Sequence, residues 1–151
     1  MAQKFTLQRV HEVATTQAET AAANLGELNR QLQGHEEKLL LLFKYRDEYQ
    51  ERLRRATTAG LDGAGLRNFH DFLERLEQAI LQQHALVVDA RTRVQSGLGD
   101  WQVKQRKSNA FDTLSQRFHV ATQRGEAARE QKVQDDFASR GSRGKAQSRR
   151  S

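Results

Sequence analysis

One spacing of apolar residues organises most of this chain. Starting at Ala18 and stepping alternately by three and four, the positions are Ala18, Ala21, Leu25, Leu28, Leu32, His35, Leu39, Leu42, Arg46, Tyr49, Leu53 and Ala56. Only His35 and Arg46 break the apolar run. Such steps keep every member on one stripe of a supercoiled helix, the a and d positions of a heptad. Upstream, Phe5, Leu7, Val10 and Ala14 extend the helix less regularly. The pattern resumes through Leu66, Phe69, Leu73, Leu76, Ile80, Gln83, Val87, Ala90, Val94, Gly97, Trp101 and Lys104, then less strictly through Phe111, Leu114, Phe118 and Ala121. Between the two stripes lie Gly60, Gly63 and Gly65. Glycine is a poor helix former that opens positive φ, so this is where the chain turns.

Two seams joined by a short turn fold back on each other. The spacing therefore predicts an all-α fold, an antiparallel coiled-coil hairpin. Helix one covers about 5–57, the glycine-rich turn about 58–65 and helix two about 66–138, followed by a disordered basic tail over 139–151. The register follows from the stripes. If facing residues have numbers that sum to 122, every seam position from 18 to 56 meets a seam position from 66 to 104, and each layer pairs an a with a d. Small then meets large: Leu25 faces Gly97, and Trp101 faces Ala21. His35 faces Val87 as a polar layer that fixes register, and Arg46 faces Leu76 with its stem packed and its head in water. Phe5 pairs near residue 117, so residues 118–138 overhang.

Composition agrees with long helices around a narrow seam. Only 36% of residues are hydrophobic, 29% are charged, and the chain has neither proline nor cysteine. The absence of cysteine excludes disulfide and thiol chemistry. No apolar run is long enough for a signal peptide or a membrane span, which gives a cytoplasmic expectation. The net charge of +6 is unevenly placed. Arg140, Arg143, Lys145, Arg149 and Arg150 supply +5 with no acid among them, leaving the preceding residues at +1. A basic tail of this kind either binds phosphates or anionic headgroups, or simply stays solvated.

The sequence holds no nucleotide-binding glycine motif and no paired-histidine metal motif, and a two-helix hairpin offers no cleft for a nucleophilic triad. The reading is a protein that is not an enzyme and needs no cofactor or metal. What exceeds the needs of a seam is an apolar strip at heptad position g, formed by Tyr45, Phe72, Ala79 and Leu86, where the other g positions are Asn24, Gln31, Lys38, Arg52, Arg93 and Asp100. In an antiparallel pair the g positions line one side of the seam. The strip is either a docking surface or a locally widened core. A different class of function, nucleic-acid binding through the basic tail, finds no support in residues 1–139, where no face carries a sustained Lys/Arg excess.

At these residues the chain resembles a known family. The opening Phe5, Leu7 and Val10, the segment YRDEYQERL from Tyr45 to Leu53, NFHDFLERLEQAI from Asn68 to Ile80 and EQKVQDDFASR from Glu130 to Arg140 occur in the order and spacing of the flagellar export protein family FliJ. The resemblance implies a component of the flagellar type III export apparatus, peripheral to the cytoplasmic side of the membrane. Its implied partners are the ring-forming export ATPase, the cytoplasmic domain of the export gate protein FlhA and export chaperones. It implies a gate-binding surface at Leu42, Tyr45, Tyr49, Phe72, Leu76 and Ala79, and ATPase-facing residues at Lys132, Asp136 and Phe137.

Overall fold

The computed structural model describes residues 2–148, and these form two helices: α1, Ala2–Ala59, and α2, Gly63–Ser148. Among the described residues there is no strand, so the fold class is all-α. The turn is tighter than expected, three residues from Gly60 to Asp62. Gly60 ends α1 at φ 94°, a left-handed conformation that closes a helix and suits a residue without Cβ. Its N–H donates to the Thr57 carbonyl at 3.3 Å. Asp62 starts α2 as its N-cap: its Oδ1 accepts from the Gly65 N–H at 2.7 Å and its carbonyl from the Leu66 N–H at 3.0 Å. Gly63 and Gly65, expected in the turn, are therefore the first turn of the second helix.

The chain divides into two units, residues 17–104 and residues 1–16 with 105–151. The first holds the turn and the regular part of the seam. All twelve α1 seam positions from Ala18 to Ala56 are buried or half-buried. On α2 the same holds for every seam position except Leu66, which is 38% exposed beside the turn, where its facing residue is the small Ala56. Val87 is the most enclosed side chain, 1% exposed. The derived register recurs in the contacts. Gly97 packs against Leu28 and Leu25, and Tyr49 stacks on Phe69 and Phe72 with ring centroids 5.0 and 4.1 Å apart. These partners' numbers sum to 118–125, bracketing 122. The polar layer is present in a variant form. The Gln83 side-chain amide donates to the His35 carbonyl at 3.0 Å and lies 3.2 Å from His35 Nδ1. Arg46 keeps its head at the surface, 3.2 Å from Asp47 and over the Phe43 ring at 5.1 Å.

The second unit follows the same register with smaller side chains. Ala14 and Ser108 are buried, Leu7, His11, Phe111, Ser115, Phe118 and Thr122 are half-buried, and Thr15 and Ser108 share a hydrogen bond of 3.3 Å. His11 Nε2 lies 3.6 Å from Asp112. Here the structure corrects the expected stripe. Leu114 is 48% exposed and Ala121 is exposed, as are Phe5 at 64% and Val10 at 38%. The true steps run through Ser108, Ser115 and Thr122, because helix geometry fixes which residues face inward whatever their polarity, and hydroxyls this small fit a close approach. The uncovered part of α2 starts later than expected, since Phe118 and Thr122 are half-buried and every described residue from Gln123 onward is exposed. α2 also runs ten residues beyond Ala138. Residues 139–148 have no proline and are held by local backbone bonds. Arg149 and Arg150, counted in the basic tail, lie outside the described residues.

Candidate protein-binding surfaces

In the unit formed by residues 17–104, the gate-binding candidates fall into two groups by burial. Leu76 is 8% exposed and Leu42 and Tyr49 are half-buried, as seam members must be. Tyr45, Phe72 and Leu86 are 48, 45 and 46% exposed, and Ala79 is half-buried beside them. The heptad explains the split: a and d close the seam, while g stands at its edge. Tyr49 links the groups, since its ring bridges the seam residue Phe69 and the edge residue Phe72. Phe72 is thus held in place by a stacking partner while nearly half its surface stays open, an arrangement suited to a rigid apolar anchor.

A second apolar group of the same unit lies away from position g. Leu40, Leu81 and Val88 are 67, 69 and 47% exposed. The heptad assignment puts all three at position b, on the other side of the seam from Tyr45 and Phe72. The signal was present in the sequence as Leu81 and Val88 seven residues apart.

In the other unit, Lys132, Asp136 and Phe137 are all exposed on α2, Phe137 at 80%. Val133, one turn before Phe137, is 67% exposed. Neither Lys132 nor Asp136 has an ion-pair partner among the described residues. No group of three or more His, Asp or Glu side chains among the described residues could hold a metal ion. No helix there is long and apolar enough to cross a membrane.

One electrostatic feature stands near the turn. Arg54 donates to both Glu51 carboxylate oxygens at 2.7 and 3.0 Å, and Arg55 adds a third bond at 3.3 Å. The Arg54 hydrogen bonds hold the Glu51 carboxyl at about 2, against an ordinary 4.5.

A closed two-helix seam with apolar residues left at its edges defines a helical interaction protein. The model of the flagellar FliJ protein family matches residues 3–147. The flagellar FliJ protein of Escherichia coli (strain K12) is 32% identical over 140 residues, which cover 93% of this chain and 95% of that protein. The flagellar FliJ protein of Salmonella typhi is 31% identical over the same length and coverage. The chain belongs to the FliJ family, and it is a component of flagellar protein export.

Proposed function

We propose that this protein is an interaction component of flagellar type III export that binds the export ATPase ring and the cytoplasmic domain of the gate protein FlhA, and handles substrate chaperones. The observation that carries the reading is the set of half-open aromatic and aliphatic side chains at position g, beside a seam already closed without them. Tyr45 and Phe72 form the exposed part of the gate surface with the half-buried Ala79 beside them, and Leu42, Tyr49 and Leu76 support it from the seam. The ATPase-facing surface includes Lys132, Asp136 and Phe137. The protein itself performs no chemistry and acts by holding partners.

The test compares two truncations four residues apart. Phe72→Ala removes an edge side chain. It should weaken binding to the FlhA cytoplasmic domain by at least about tenfold, about 1.4 kcal/mol, with helical content kept. Leu76→Ala removes a buried one and should lower binding and stability together. Calorimetric titration and circular dichroism read both. Unchanged gate binding by a folded Phe72→Ala chain would reduce the strip to a broad core edge.

A further inference from the structure

We infer that the exposed part of α2 from Arg129 to Lys145 is a docking face for an anionic bilayer surface. At about 100° per residue, Arg129, Lys132, Arg140 and Arg143 fall within about 80° of one another around the helix, and Val133 and Phe137 lie directly beside Arg140. All six are exposed, the apolar pair at 67 and 80%. None of the four cations has an ion-pair partner among the described residues, whereas Arg30, Arg54, Arg55, Arg91, Arg93 and Lys104 do. One acid, Asp136, interrupts the stripe, and from Phe137 to the last residue of the sequence there is no other. The field at this face is therefore positive, and it has an apolar edge.

The occupant follows from that combination. A helix that lies in a headgroup layer buries an aromatic and an aliphatic side chain a few ångströms deep while flanking cations meet lipid phosphates. Val133 and Phe137 provide the first part and the four cations the second. Nucleic acid would reward the cations and offers Phe137 at most one base to stack on, but burying Val133 gains nothing on a phosphate backbone. The face shares Lys132 and Phe137 with the ATPase-facing residues proposed above, so the test uses Arg140 and Arg143, which that reading does not need.

The experiment is co-sedimentation of the full chain with phosphatidylcholine vesicles and with vesicles in which about one third is phosphatidylglycerol. Partitioning should be at least about tenfold stronger onto the anionic vesicles and should fall steeply as salt rises to about 0.5 M. Arg140→Glu with Arg143→Glu should remove at least about tenfold of it and Phe137→Ala a further part, with helical content and ATPase binding by the double variant unchanged. Equal partitioning onto neutral vesicles, indifference to the double variant, or retention of a short DNA duplex without vesicle binding would each overturn the inference.

Discussion

Gly97 and Gly99 stand two residues apart in α2, and their replacement by alanine should have opposite consequences. In a helix interior, alanine is favoured over glycine by about 1 kcal/mol. A Cβ built at Gly99 meets nothing within 4 Å, so Gly99→Ala should gain nearly all of this, raising Tm by about 2–4 °C for a chain of this size. At Gly97 the same Cβ would stand 2.7 Å from Leu28 Cδ1 and 3.6 Å from Leu25 Cδ1. Carbon atoms pack best at about 3.5–4.0 Å, so the Leu28 methyl must retreat by about 1 Å. Crowding a packed seam typically costs about 1–3 kcal/mol, and because the displaced atom is the end of a half-buried side chain the lower part of that range applies. Gly97→Ala should then be neutral to about 1 kcal/mol destabilising, and the two variants should differ by at least about 1 kcal/mol. Urea unfolding followed by circular dichroism measures both, with unchanged m-values as the check that only stability moved. If Gly97→Ala stabilises as much as Gly99→Ala, the helices do not approach closely at this layer and the register is wrong.

Other consequences can be checked separately. Asp62→Ala removes the side-chain cap of α2 and should destabilise by about 1 kcal/mol in the same assay, while Asp62→Asn keeps most of it. The Glu51 carboxyl should titrate near 2 by NMR. Since its folded value lies below the ordinary 4.5, its contribution is present above that pH and is lost as pH falls towards 2, and Arg54→Gln should return the midpoint most of the way. Leu76→Ala and Val87→Ala should each destabilise by about 2–3 kcal/mol, set by seam side chains lost from positions 8 and 1% exposed. In hydrogen exchange, amides from Gln123 onward should be the fastest helical ones in the free protein, because helix without packing is marginal; slow exchange there would contradict the reading that nothing covers them.

The regular seam was legible because two of every seven residues must be apolar for two helices to pair, and from Ala18 to Lys104 nearly all are. Its arithmetic places Leu25 against Gly97, where the structure has it. The reading failed where it followed polarity instead of spacing. Leu114 and Ala121 fit the stripe by polarity alone, whereas steps of three and four from Lys104 lead to Ser108, Phe111, Ser115, Phe118 and Thr122. Ser108 belongs inside because a small hydroxyl fits between the helices there and bonds Thr15 across them, next to the buried Ala14. The turn was read too long for a similar reason. Three glycines suggest flexibility, but Asp62 caps a helix that tolerates Gly63 and Gly65 in its first turn. The edge residues at position g were legible as a departure from the polar rule. Their use was not, since a half-exposed Phe72 has the same spacing whether a partner covers it or not.

The division of labour within the heptad explains how so simple a fold leaves apolar surface open for binding. Packing two helices occupies positions a and d, and the structure shows that in residues 17–104 these suffice: no seam position is exposed except Leu66 at the turn. The remaining five positions of each heptad are not needed to close the seam. Apolar side chains placed there, Tyr45, Phe72 and Leu86 at g and Leu40, Leu81 and Val88 at b, stand at or beyond the edge of the seam and leave apolar surface in water. Each 46–69% exposed leucine thereby forgoes part of the roughly 1.5–3 kcal/mol that full burial would give. That unrealised stabilisation is available to whatever covers the surface. Because g and b lie on opposite sides of the seam, two partners could draw on it without displacing each other, and neither would require the seam to open.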